Sequence, residues 1–235
     1  MCNLEKRGRV YILTLLGDGD HRFNPSTIDA ISAALKEVQD SPDAGALVTT
    51  NQGRYFSNGL DLQWISQNPD AHLSTIRIKF ENLLASFIRL RVPTIAAICG
   101  HAAAGGFIVA LAHDYRFMRG DRSVLYMSEL DIGMKLPRSL MAVIRSKLLP
   151  GTLRDVVLGA RKFSAQMALE GGIVDSVYAD SPQTLEAAVS EAQKLAGRGW
   201  KKEIYSELRL GAFPGVLEEL DAHRDPYLFP VSSKL

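Results

Sequence analysis

The sequence predicts an α/β protein in which a mainly parallel sheet is covered by helices. Apolar runs of strand length at residues 10–16, 46–50, 94–98 and 114–118 alternate with stretches of helical periodicity. Two turns of very small residues, around Gly59 and around Gly105, each follow a strand-like run, at the strand ends where ligands bind in such sheets. With 46% hydrophobic and 23% charged residues over 235, the chain can bury a proper core, most simply as one domain with a helical appendage.

The elements follow in order. Residues 10–16 read as the opening strand, and Pro25 starts a helix in which Ile28, Ile31, Leu35 and Val38 recur at helical spacing. Residues 46–50 complete a β–α–β beginning, and the turn FSNGLDL at 56–62 comes next. Leu73, Ile76, Phe80, Leu83 and Phe87 mark one face of a long amphipathic helix leading into the strand at 94–98. Residues 93–114, PTIAAICGHAAAGGFIVALAHD, break an apolar strand at a turn of tiny residues and resume as an apolar helix. Past Pro137 the chain becomes mostly helical, with a short strand at 173–178, a helix over 185–195 and another from about Lys201. The expected division is a core over residues 1–180 and a helical region over 181–235 that ends in an exposed tail and serves as a lid or subunit contact.

Several function classes fall away. A net charge of +1 offers no general attraction for nucleic acid or anionic membrane. Cys2 and Cys99 do not make a disulfide framework. No segment approaches the ~20 apolar residues of a membrane span, and the N-terminus lacks a secretory pattern. Metal-ligand spacings, GxGxxG and the P-loop pattern are absent, and repeats of solenoid period are not found. A Ser–His–Asp reading of His101 and His113 fails because the elbow holds Ala103 and Ala104; both histidines are expected to cap or pack. Ser233-Lys234-Leu235 reads as a peroxisomal address where it stands at a free carboxyl terminus, so an import receptor is an expected partner.

The two small-residue turns suggest chemistry. Gly100, Ala102, Ala103, Ala104, Gly105 and Gly106 bring bare backbone N–H groups to a helix start, and the FSNGLDL turn supplies another donor. Two such donors can hold the developing charge of an enolate or tetrahedral oxygen without any metal.

With HRFNPSTIDAI, FSNGLDL, PTIAAICGHAAAGGF, LYMSELDIGM and ALEGGIVDSVY in this order over roughly residues 5–180, the chain resembles the crotonase family, the enoyl-CoA hydratase/isomerase superfamily. The resemblance implies a crotonase-like ββα spiral with a helical C-terminal region, a homotrimer or hexamer packed through that region, and a fatty enoyl-CoA substrate. No cofactor is implied, since coenzyme A is part of the substrate. The matching oxyanion donors are the N–H groups of Leu60 and Gly105; most members carry alanine where Leu60 stands, which alters pocket shape rather than the backbone donor.

Family hydratases use two glutamates. One matches Glu129, four residues before Gly133; the other falls on Ile108. Adding water across a double bond uses a pair of carboxyl groups, whereas moving the bond needs one base that takes a proton and returns it two carbons away. The arrangement therefore resembles the Δ3-Δ2-enoyl-CoA isomerases, with the terminal tripeptide suggesting the peroxisomal plant-type members. Some peroxisomal isomerases place the glutamate four residues after the glycine, a position occupied here by Pro137, and Asp131 is the competing acid. A 2-trans-enoyl-CoA hydratase and a non-catalytic acyl-CoA-binding or scaffolding protein are the alternative readings.

Around these groups, Ser57, Asn58, Gly59, Leu60, Asp61, Leu62 and Gly105 are expected at the substrate, with Ile108, Met127 and Met134 as apolar walls that raise the Glu129 pKa. Arg22 and Lys201 or Lys202 are the basic candidates for the coenzyme A phosphates, and Trp64 and Phe163 are candidates for the acyl tunnel, with core packing the competing role.

Overall fold

Ten strands and ten helices make up the described part of the chain. The computed structural model describes residues 1–17 and 19–223, so Ser233-Lys234-Leu235 lies outside the described residues. In chain order the first elements are β1 (Cys2–Arg7), β2 (Val10–Leu15), α1 (Pro25–Asp40), β3 (Ala46–Asn51), β4 (Tyr55–Ser57), α2 (Leu62–Ser66) and α3 (Pro69–Arg89). There follow β5 (Thr94–Ile98), β6 (His101–Ala103), α4 (Gly105–Leu111), β7 (Tyr115–Arg119), β8 (Val124–Tyr126), α5 (Arg138–Lys147) and α6 (Pro150–Val157). The last are β9 (Phe163–Ser164), α7 (Ala165–Glu170), β10 (Ser176–Tyr178), α8 (Ser181–Gly197), α9 (Lys202–Ala212) and α10 (Val216–Ala222).

A six-stranded sheet of order β1-β2-β3-β5-β7-β10 is parallel except for β1, which pairs antiparallel with β2. The expected opening strand is thus the second. Glu5, Lys6 and Arg7 make β1 a charged, exposed edge strand, so it lacks the apolar signal by which buried strands are recognised. The side chains of β2 alternate between two cores: Val10 and Ile12 face one, Tyr11, Leu13 and Leu15 the other.

On the first face lies α8, whose Ala188, Val189, Ala192 and Ala196 pack on Val48, Ile95, Ala97 and Phe117. Its small residues allow close approach: a Cβ on Gly45 would lie 2.6 Å from the Ala196 Cβ. The helix is longer than the expected 185–195 because Asp180 caps it, accepting from the Gln183 N–H at 2.9 Å. Against the second face pack α1 and α3, through Ile28, Ile31, Leu35, Phe80 and Leu84.

A second, four-stranded sheet has order β4-β6-β8-β9. Each of three large-sheet strands runs through a short turn into a small-sheet strand, β3 into β4, β5 into β6 and β7 into β8, and a helix follows. This is a repeated strand–strand–helix unit. Part of the expected tiny-residue turn is itself a strand, β6, because Ala102 and Ala103 are small enough to be buried between β4 and β8. The last strand begins at Ser176 rather than at 173, since Ile173 and Val174 bond back to Ala168 at the end of α7. No helix among the described residues is long and apolar enough to cross a membrane.

Candidate active site

The small sheet delivers the site. Strands β4, β6 and β8 are parallel neighbours, so their carboxyl ends align, and each places one group just beyond its end: Leu60, Gly105 and Glu129. A cavity of about 210 Å³ is lined there by Leu60, Gly105 and Glu129 together with Arg22, Asn58, Leu62, Ile108 and Met134.

The first turn is held by backbone bonds to Phe23, in the segment between β2 and α1. Phe23 donates to the Gly59 carbonyl at 2.8 Å, and Asp61 donates to the Phe23 carbonyl at 2.9 Å, leaving the intervening Leu60 N–H outside the ladder. Gly59 has φ +80, the left-handed region open to glycine at no steric cost. Ser57 is buried and donates from Oγ to the His21 carbonyl at 2.7 Å while accepting from the Gly59 N–H at 3.2 Å. Asp61 caps α2, accepting from the Trp64 N–H at 3.0 Å. Both side chains shape the turn rather than line the cavity.

The second turn pivots on Ala104, which holds φ 48 and ψ −120 without being glycine. Its N–H donates to the Tyr126 carbonyl at 3.0 Å, so β8 fixes this strained residue in place. Gly106 must be glycine, because a Cβ there would lie 2.2 Å from the Ser57 carbonyl oxygen. The turns interlock closely enough that a Cβ on Gly105 would lie 3.6 Å from the Leu60 nitrogen. Among the described residues neither the Leu60 nor the Gly105 N–H has a hydrogen-bond partner. Two unsatisfied donors at one cavity wall are an arrangement that can receive an oxyanion.

Glu129 stands on the turn after β8, closed by bonds from Ile132 N–H to the Ser128 carbonyl at 3.1 Å and from Met134 N–H to the Glu129 carbonyl at 2.7 Å. Its Oε2 is buried without a hydrogen-bond partner. Burial pushes its carboxyl pKa up, against the lowering effect of the Glu129 and Ser128 backbone N–H groups. Ile108, one turn into α4, is 1% exposed and also lines the cavity, where among the described residues Glu129 is the one carboxylate.

Other expected residues are placed elsewhere. Asp131 is exposed and does not line the cavity. Lys201 lines a separate cavity with Asp114, Trp200 and Tyr205, and Lys202 donates to the carbonyls of Ser41 and Pro42 at 2.9 and 3.0 Å; the structure does not bring either to Glu129. Arg22 does reach the cavity, paired with Asp20 at 3.1 Å, and Asn58 donates to the same carboxylate at 3.3 Å. Met127 and Phe163 are core residues, and Trp64 stacks on His72 with ring centroids 3.8 Å apart. His101 accepts from the Val124 N–H at 3.1 Å, and His113 bonds Thr49 Oγ1 and the Val109 carbonyl, both at 2.8 Å. Among the described residues no His, Cys, Asp and Glu group could hold a metal.

Sequence reasoning missed Phe80, Leu136 and Leu140 as cavity lining. Phe80 was legible as the buried face of its helix, but nothing local shows that this face meets Gly105.

The profile of the enoyl-CoA hydratase/isomerase family matches residues 20–205. "Enoyl-CoA delta isomerase 1, peroxisomal" of Arabidopsis thaliana is 43% identical over 220 residues, covering 92% of this chain and 91% of that protein. "Enoyl-CoA delta isomerase 3" of the same plant is 40% identical over 227 residues, covering 94% and 95%. A probable enoyl-CoA hydratase from Mycobacterium tuberculosis superposes with a TM-score of 0.87 at 21% identity, covering 94% of this chain and 92% of that one, a likeness of fold.

Proposed function

This chain belongs to the enoyl-CoA hydratase/isomerase family and has its crotonase fold, and on that premise we propose that it is a Δ3-Δ2-enoyl-CoA isomerase acting in β-oxidation of unsaturated fatty acids. In this reading Glu129 takes a proton from C2 of a 3-enoyl-CoA. The electron pair passes into a dienolate whose oxygen accepts from the Leu60 and Gly105 N–H groups. Glu129 then returns the proton to C4, and the double bond lies between C2 and C3. Nothing is consumed, and no cofactor is needed.

The observation that carries this reading is the pairing of a buried, unpartnered Glu129 Oε2 with apolar Ile108 in one cavity. A single base in an apolar wall can shuttle a proton and disfavours the ordered water that hydration requires. Arg22 at the cavity supports a role beside the phosphates of coenzyme A. The test follows double-bond migration with 3-hexenoyl-CoA and water addition with 2-trans-hexenoyl-CoA in purified protein. Migration without hydration supports the isomerase; dominant hydration would make the chain a hydratase despite Ile108, and binding without either reaction would make it an acyl-CoA-binding protein.

Location and assembly belong to the same reading. Ser233-Lys234-Leu235 and the name of the first relative support a peroxisomal enzyme brought in by the import receptor, although the other relative's name carries no such word. Deleting the tripeptide should leave a fluorescent fusion in the cytosol. Exposed Trp200, Ile204 and Leu208 support a trimer or hexamer packed through α9, to be read by sedimentation.

A further inference from the structure

The cavity has a mouth and a floor, and exposure separates them. The Arg22 side chain is 36% exposed and Ile132 44%, whereas Phe80 and Ile108 are each 1% exposed and Leu140 5%. A charged coenzyme A head group stays in water beside Arg22, so an acyl tail that enters the protein runs toward the apolar floor.

That floor is fastened. The Phe80 ring lies 5.4 Å from Phe23, and its Cζ is 3.1 Å from where a Gly105 Cβ would stand. The next residue, Glu81, is 1% exposed, and its carboxylate accepts from Arg77 Nη1 at 3.1 Å and from Ser139 Oγ at 2.6 Å, and meets His223 Nδ1 at 2.6 Å. Ser139 in turn precedes Leu140. A buried carboxylate is costly unless surrounded by donors, and this one ties α3 to α5 and α10 beside the two floor residues. The carboxylate is thus placed where it fixes the spacing between Phe80 and Leu140.

We infer that Leu140 and Phe80 set the longest acyl chain this cavity accepts, and that Glu81 with Ser139 acts as the positioning pair that holds them. The nature of the ligand rests on the isomerase reading. With the floor held, a chain long enough to reach Leu140 gains nothing from further methylenes, and a longer one must bend back toward the mouth.

The experiment measures binding of saturated, unreactive acyl-CoAs from butanoyl to tetradecanoyl by calorimetry. It compares the full chain with Leu140→Ala, the milder Leu140→Val, Phe80→Leu and Ser139→Ala. In the wild-type chain affinity should rise roughly fourfold per methylene and then stop rising. Leu140→Ala should move the stopping point out by about two carbons, and Leu140→Val by less. Ser139→Ala should relax it in the same direction, and the ratio of kcat/KM for 3-decenoyl-CoA over 3-hexenoyl-CoA should rise in the same order. A purely structural role would lower both substrates together and leave that ratio unmoved.

A stopping point identical in all variants overturns the inference, as does wild-type affinity that climbs through the longest chain. Because the ligands do not react, a length limit that shifts in a protein without isomerase turnover would overturn the isomerase reading and leave the floor standing. An unmoved limit in an active isomerase would overturn the floor alone.

Discussion

Gly59 and Gly105 stand back to back: a Cβ on Gly59 would lie 3.1 Å from the Gly105 nitrogen. The spacing of the Leu60 and Gly105 N–H groups, the proposed oxyanion donors, is therefore set by the contact between their turns, and a side chain at the joint must push a neighbour aside. Gly59→Ala adds this clash to an unfavourable φ of +80, with a backbone cost of about 1–2 kcal/mol. We expect kcat to fall by about 10²-fold or more as the donors separate, with the loss read in the isomerase assay.

Glu129→Gln keeps the shape of the side chain and removes the proposed base. Turnover should drop by about 10³-fold, while saturated acyl-CoA binding stays within about threefold of wild type. Retention of most isomerase turnover would sink the assignment of Glu129.

The pH dependence follows from the raised Glu129 pKa. The proposed mechanism needs the carboxylate, so kcat/KM should fall as pH drops through this pKa, with a midpoint above the ~4.3 of a free glutamate. The same shift has a stability sign: the fold favours the protonated form, so the ionised form destabilises the fold at neutral pH and this penalty disappears at low pH. Glu129→Gln should accordingly melt higher than wild type at pH 7, with the gain fading toward pH 4.

His113 is fully buried and its pKa is pushed down to about 4, chiefly by burial, partly offset by the Val109 carbonyl and Asp114. The folded state thus resists a proton that the unfolded chain accepts near 6.5, and stability should fall as pH drops from about 6.5 toward 4. The lowering amounts to about 3 kcal/mol at most. Denaturant titrations at pH 7 and pH 4.5 should show this slope in wild type and a shallower one in His113→Gln.

Arg209, 6% exposed, docks α9 by donating to the carbonyls of Ile88, Leu90 and Val92 and to the Asp114 carboxylate. Arg209→Met should destabilise the chain by about 3–5 kcal/mol, because three carbonyls lose this donor and Asp114 loses its charged partner, keeping Thr94 and Tyr205. Chemical denaturation measures it. Acyl-CoA binding at Glu129 should survive at temperatures where the variant is folded.

Much of the architecture was legible because its signals are local. Ile28, Ile31, Leu35 and Val38 bury one helix face, and Val48, Ile95 and Phe117 fill buried strands, so periodicity found α1, β3, β5 and β7. β1 was not legible, since an exposed edge strand carries charges in place of an apolar run. Lys201 illustrates the limit for the site: a basic residue is identifiable in the sequence, but its position relative to Glu129 depends on how α8 and α9 pack.

The sequence by itself determined the order of strand, turn and helix, the glycines at 59, 105 and 106, two candidate acids at Glu129 and Asp131, and the apolar residue at 108. Tertiary structure decided that three short parallel strands end side by side, which brings residues 60, 105 and 129 to one cavity. It also decided that Phe80 and Leu140 line that cavity, while the buried Glu81 beside Phe80 accepts from Ser139 beside Leu140. The division has a physical cause. Backbone conformation and burial periodicity are set by neighbours along the chain, whereas a site's distances and the pKa of its buried acid depend on which distant segments exclude water from it.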